Sequence, residues 1–149
     1  MGSVSGGPYG LAVPDPADIP TTGFDTVLGL EFLEVSGDRV VASFAVTPQL
    51  QQPYGILHGG VLCSVVETLG SVAGAVWWGD RGHVVGTSNH TDFLRAVREG
   101  TLTGTARPVH RGRTQQLWDV DITDEAGRLV ARGQLRVANL SSAEGLGRS

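Results

Sequence analysis

The chain has 149 residues, 40% of them hydrophobic, a formal net charge of −4 at pH 7 and a single cysteine. That length suits one domain with a real core. Acids and bases are mixed along it rather than gathered into a basic patch, which argues against nucleic acid or an anionic membrane surface as the partner. Cys63 alone excludes an intramolecular disulfide and any multi-cysteine zinc site, and fits a reducing, cytoplasmic setting.

Residues 1–22 are rich in Gly, Pro and Ser without period and read as a flexible leader or surface strap. Met1 to Gly10 lacks the basic start and apolar run of a signal peptide. Gly37-Asp38 reads as a turn out of a first strand into a second at 40–47, where Val40, Ala42, Phe44 and Val46 alternate with Val41, Ser43, Ala45 and Thr47. Residues 59–78 are apolar or small almost throughout and predict a long helix. At about 30 Å it could cross a bilayer, yet Glu67 would then sit near the membrane centre, and the rest of the chain reads as soluble strands.

Four strands are expected after the helix, at 83–93, 101–109, 115–123 and 129–138. The third is clearest, with Trp118, Val120 and Ile122 opposing Asp119, Asp121 and Thr123. Asp124 to Gly127 forms a hairpin turn, and Ser141 to Ser149 a second tail, which leaves 23–140 as the single domain. Strand, strand, long helix and a run of strands make the class α+β: one antiparallel sheet wrapped around one central helix and burying it on most sides. Glycine costs up to about 1 kcal/mol against Ala inside a helix, so Gly59, Gly60, Gly70 and Gly74 should each have a packing or site role.

A carboxylate within an apolar helix must be paired, hydrogen-bonded, protonated or set beside a solvent-filled pocket. No Lys or Arg lies within a turn of Glu67. Two readings stay open: a solvent-facing or backbone-bonded acid, or a partly desolvated carboxylate tuned for catalysis. Ser71, one turn later on the same face, could hold a water, while Cys63, one turn earlier, reads as a small core residue. At the helix entrance the unpaired first N–H groups carry partial positive charge, and Gly59-Gly60 would let an oxyanion approach them. Gly59 and Glu67 are about 12 Å apart along the axis, too far to act on one carbonyl within one chain; a dimer joins them if one subunit's entrance meets the other's acid.

The stretches "LHGGVLCSVVETLGSVAG" and "FLRAVREGTLTGTARPVHRGRTQQLWDVDITDEAGRLVARGQLRV" resemble the hotdog-fold acyl-CoA thioesterases. The nearest group is that of the phenylacetate-pathway thioesterases, the enterobactin-associated proofreading thioesterase and the Arthrobacter-type 4-hydroxybenzoyl-CoA thioesterase. The likeness spans roughly residues 40–138 and implies a hotdog fold that hydrolyses aryl- or medium-chain acyl-CoA to free acid and coenzyme A. It implies Glu67 as general base or nucleophile, the Gly59 N–H as oxyanion donor, Gln52 as the amide orienting thioester or water, His58 as a supporting polar contact and Ser71 as the water-positioning hydroxyl. It further implies a homodimer, the acid coming from one subunit and Gly59 and Gln52 from the other, assembled into a tetramer. Coenzyme A, which is part of the substrate rather than a cofactor, would place its phosphates near His110, Arg111, Arg113 and Thr114.

Each position has a plainer reading: His58 as a helix cap, Gln52 as an exposed loop residue, the basic turn as solvated charge. The scaffold also serves hydratases and dehydratases, in which His58 would work with the acid, and non-hydrolytic acyl-CoA-binding modules. His83 and His90 have no carboxylate or Cys at metal spacing, so no metal is expected. Trp77, Trp78 and Trp118 read as core or interface, and no nucleotide-binding glycine motif follows a strand.

Overall fold

The computed structural model describes residues 13–141; most of the expected leader and nearly all of the expected tail lie outside the described residues. Six strands form one antiparallel sheet: β1 (Glu31–Val35), β2 (Val40–Ala45), β3 (Gly82–Phe93), β4 (Thr101–Arg111), β5 (Gln115–Thr123) and β6 (Leu129–Ser141), in the order β1-β2-β4-β5-β6-β3. Between β2 and β3 the helix α2 (Gly59–Trp78) crosses the sheet, so the chain leaves near one edge and re-enters at the other. This is the α+β hotdog arrangement. Alternation sets the packing: Trp118, Val120 and Ile122 point inward from β5 and are fully buried, while Asp119 and Asp121 stand on the outer face.

The inward set of β5 extends to Gln116, which is also fully buried. Its polar atoms are satisfied: Nε2 donates to the Gly74 carbonyl (3.3 Å) and Asn139 Oδ1 (2.7 Å), and Oε1 accepts from Trp118 Nε1 (2.7 Å). The amide thereby ties α2 to β5 and β6. β4 runs two residues past its expected end, through Pro108. The missing N–H costs nothing there, because pairing with β2 stops at Ala106 and β4 bulges between Pro108 and His110. At the β5–β6 hairpin, the Arg128 backbone N–H holds the Asp124 carboxyl below the usual range, with Arg128 Nε and the Ala126 N–H assisting.

α2 is long and apolar enough to cross a membrane by length and composition, but nine of its residues are buried in the core of the fold. It is covered on most sides, as expected: within α2 only Gly60 and Glu67 are exposed. Gly60, Cys63, Ser64, Glu67, Thr68 and Ser71 form a stripe left out of the core. A short helix α1 (Phe24–Leu28), absent from the sequence reading, adjoins this stripe, held where Thr68 Oγ1 donates to Asp25 Oδ1 at 2.9 Å.

Gly70 sets how closely α2 approaches β6. A Cβ there would lie 2.7 Å from Leu135 Cδ2 and 2.9 Å from Leu135 Cβ, and Leu135 is fully buried. Gly70→Val is expected to destabilise the protein by roughly 1–3 kcal/mol through overpacking, read as a lower urea midpoint at unchanged slope.

Candidate active site

The chain enters α2 through His58, whose extended backbone (φ −66°, ψ 132°) makes it the N-cap. His58 Nδ1 accepts the Gly60 N–H at 2.8 Å, and the His58 carbonyl accepts the Val61 N–H at 3.0 Å. Nδ1 is therefore an acceptor, and a neutral ring carries its proton on Nε2. The plainer reading of His58, the helix cap, describes what its side chain does within one chain. With Gly60 and Val61 occupied, the Gly59 N–H is left without a partner among the described residues. A Cβ on Gly59 would lie 3.0 Å from Cε2 and Cζ of Phe93, so the ring at the end of β3 rests against bare backbone here.

The loop before the helix separates the two adjacent glutamines. Gln51 bridges to Leu57 and spends its Nε2 on the Arg98 carbonyl at 2.7 Å. Gln52 accepts the Tyr54 N–H on Oε1, and its Nε2 donors have no partner among the described residues. The helix entrance is anchored by the Leu57 N–H on the Val97 carbonyl (2.7 Å) and the His58 N–H on the Leu50 carbonyl (2.9 Å).

Two turns along, Glu67 leaves the helix on its open stripe and is exposed in the single chain, not desolvated. Its carboxylate is nonetheless placed. It lies against β3 where the register with β6 slips between Gly86 and Ser88, and bulges of this kind re-aim side chains. Gly86 gives it room: a Cβ there would collide with Glu67 Oε1. Asn89 Nδ2 donates to Glu67 Oε2 at 3.2 Å and to the Cys63 carbonyl at 2.9 Å, and Thr91 Oγ1 donates to Asn89 Oδ1 at 2.8 Å, which fixes which way the amide faces. Sequence reasoning missed Asn89 and Gly86. The available signal was a glycine inside a strand pattern, which marks a bulge or a close approach. Glu67 and Asn89 border a depression of about 270 Å³ together with Phe24, Cys63, Ser64 and Thr68. Ser71 lies one turn beyond Glu67 on the same stripe, its hydroxyl unbonded among the described residues.

The basic stretch that runs from the end of β4 into the following turn is at the other end of α2. Arg111 Nη1 donates to the Gly37 carbonyl and Asp38 Oδ1, both at 2.7 Å, and the guanidinium lies 5.7 Å from the Trp77 ring. His110 sits beside Gly112, while Arg113 and Thr114 are exposed without side-chain partners among the described residues. Trp77 is eighteen residues from Gly59, about 27 Å of helix. One chain therefore holds three separate groups: Gln52, His58 and Gly59 at the entrance, Glu67 and Ser71 mid-helix, and the turn residues 110–114 at the exit. Among the described residues, no three His, Cys, Asp or Glu side chains gather as metal ligands would.

Residues 54–131, which hold most of these groups, match the thioesterase superfamily. The chain belongs to that family. Among solved members, AziG of S. sahachiroi is 53% identical, covers 82% of this chain and 99% of its own, and superposes with a TM-score of 0.81. The 1,4-dihydroxy-2-naphthoyl-CoA hydrolase of Escherichia coli (strain K12) is 35% identical over 113 residues, 76% of this chain and 83% of its own length. The thioesterase SAV0944 of Staphylococcus aureus, solved as a glutamine-to-alanine and as a glutamate-to-alanine variant, is 25–26% identical with a TM-score of 0.75, covering 78% of this chain and 97–98% of its own. In this family the hotdog fold carries thioester hydrolases.

Proposed function

We propose that this thioesterase hydrolyses acyl-CoA thioesters with an aryl or medium-chain acyl group to the free acid and coenzyme A, at sites shared between two copies of the chain. The observation that carries the reading is the pairing of a carboxylate held on a strand bulge with a lone free N–H at a glycine helix entrance. The two variants of the staphylococcal relative replace a glutamine and a glutamate fifteen residues apart, the separation of Gln52 and Glu67 here. The naphthoyl-CoA specificity named for the Escherichia coli relative supports the aryl class.

Sharing between subunits follows from two features of one chain. Gly59 and Glu67 lie about 12 Å apart along the same helix, beyond the reach of one carbonyl. β3 is a twelve-residue edge strand whose outer side is unpaired among the described residues, and edges of that length are normally covered. Pairing β3 with β3 of a second copy continues the sheet and sets the two α2 helices side by side, so that each acid faces the other chain's helix entrance.

In that arrangement the substrate carbonyl oxygen rests on the Gly59 N–H, which stabilises the negative charge that builds as the carbon becomes tetrahedral. Glu67 of the facing chain either takes a proton from water as the water attacks, or attacks the carbon itself to give an anhydride that water then opens. Collapse expels the thiolate, which takes up a proton, and the acid leaves. The free amide of Gln52 orients thioester or water, and Ser71 holds the water near Glu67. His58 acts through the helix cap, consuming the Gly60 N–H so that Gly59 is the exposed donor; with Nδ1 engaged and Nε2 protonated, it is not the base a hydratase would need. Arg113 and Thr114, with His110, remain available to the coenzyme A phosphates, whereas Arg111 is drawn toward Asp38.

Mixing the protein with a panel of acyl-CoAs and following free thiol tests the reading. Release equal to thioester consumed is expected. Retention of intact thioester, or its conversion without thiol release, would overturn it. Asn89 acts on the reaction by placing Glu67. Asn89→Ala is expected to lower kcat by about 10–100-fold, with KM within about twofold and the melting temperature nearly unchanged, because sub-ångström placement of the reacting group is what it contributes.

A further inference from the structure

We infer that Asn139 is a positioning residue for coenzyme A. It draws three successive carbonyls of the β4–β5 turn inward and so leaves the backbone N–H groups of Arg113 and Thr114 facing outward, as donors to the nucleotide phosphates. That the anion is coenzyme A rests on the acyl-CoA reading of the protein; the shape of the turn follows from contacts within one chain.

The orientation is set from the core outward. The indole Nε1 of Trp118 can only donate, so the oxygen of the buried Gln116 amide must face it, at 2.7 Å. Gln116 Nε2 is thereby turned to the Gly74 carbonyl on α2 and to Asn139 Oδ1 on β6. With its oxygen engaged there, Asn139 must aim Nδ2 the other way, at the turn. Each amide in this relay has one way to face, and a fully buried tryptophan decides it.

At the turn Asn139 holds the backbone at three points. Nδ2 donates to the Gly112 carbonyl at 2.9 Å and to the Arg113 carbonyl at 3.3 Å, and the Asn139 N–H donates to the Thr114 carbonyl at 2.9 Å. The Gly112 N–H closes the turn on the Gln115 carbonyl, also at 2.9 Å. In a trans peptide the C=O and the N–H that follows it point in opposite directions, and no cis bond occurs among the described residues. With the Gly112 and Arg113 carbonyls held against Asn139, the N–H groups of Arg113 and Thr114 point away from it, and neither has a partner among the described residues.

Two successive outward N–H groups form the kind of backbone concavity that takes an anion. The exposed Arg113 guanidinium and Thr114 hydroxyl flank it, while Arg111 is committed to the Gly37 carbonyl and Asp38. An exposed hairpin tip without such support would have to be ordered at the moment of binding, at a cost in affinity. Asn139 and Gln116 order it beforehand and tie it to the helix that carries Glu67.

The test compares benzoyl-CoA with S-benzoylpantetheine, which share acyl group and thioester while only the first carries phosphates. Asn139→Ala should raise KM for benzoyl-CoA about tenfold with kcat within about twofold, the effect of one weakened charge-assisted contact, and should leave kcat/KM for S-benzoylpantetheine within about twofold. In a second arm, on the wild type, the backbone amide resonances of Arg113 and Thr114 are followed as adenosine 3′,5′-bisphosphate is added. Both amide protons should move downfield and saturate. This arm needs no substitution and decides the case even if the variant does not fold. Equal losses on both substrates, no loss on benzoyl-CoA, or resonances of Arg113 and Thr114 that stay in place would overturn the inference. Absence of thiol release from both substrates by the wild type would instead sink the hydrolytic reading, and the amide titration would still decide the phosphate contact.

Discussion

Glu67→Gln is expected to lower kcat by about 10²–10⁴-fold, because it removes the basic lone pair and leaves nearly everything else in place. The amide has the volume of the carboxylate and keeps an oxygen for Asn89 Nδ2, so the contact at the β3 bulge survives. Glu67 is exposed in the single chain and pairs with no cation among the described residues, so the stability change should stay within roughly 0.5 kcal/mol. KM should move little, since the acid meets a carbon that the rest of the site has already placed. Thiol release from an aryl-CoA reads the first quantity and thermal unfolding the second. Turnover close to wild type would remove Glu67 from the chemistry.

The helix entrance allows a comparably sharp experiment, because its proposed donor is a backbone N–H that only proline deletes. Position 59 is the first residue of α2, where proline is favoured, and His58 already has the extended backbone (φ −66°, ψ 132°) that a residue before proline adopts. The cost is steric: any Cβ at 59 meets the Phe93 ring at 3.0 Å. Gly59→Ala brings that same Cβ and keeps the N–H, so it isolates the packing effect. Phe93 is itself more than half exposed and can move aside. Gly59→Pro should therefore lose about 10²–10³-fold in kcat and Gly59→Ala far less, the difference between them being the oxyanion donor. Equal losses would mean that the glycine serves the Phe93 contact alone.

What the sequence disclosed and what it hid divide along physical lines. α2 was legible residue for residue because a run of small and apolar residues ends at a His-Gly-Gly cap on one side and Gly79 (φ 64°) on the other. β5 was equally plain, since strict alternation is the signature of a strand with one face in the core. β1 could not be bounded: it carries a bulge between Phe32 and Glu34, which breaks the two-residue period. α1 is too short to show any period, and it is held by burial of Leu28 in the core and by one side-chain bond between residues forty-three positions apart. The chemistry of Glu67 was posed correctly as a question of hydrogen bond or pocket, and within one chain the answer is both. Its partner Asn89 depends on a register slip, of which Gly86 inside the strand pattern was the one local sign. The basic turn illustrates the converse: four residues that look alike in sequence divide once folded, because Arg111 alone comes within reach of Asp38 and the Trp77 ring.

Subunit complementation decides whether each active site joins one chain's acid to another chain's helix entrance. Glu67→Gln and Gly59→Pro chains, each close to inactive alone, are co-expressed with two different affinity tags, and the hybrid dimers are isolated through both. A hybrid holds one site with an intact acid facing an intact Gly59 and a second site lacking both, so about half the wild-type activity per dimer is expected. Hybrids as inactive as their parents would show that both groups must come from the same chain, which contradicts a shared site.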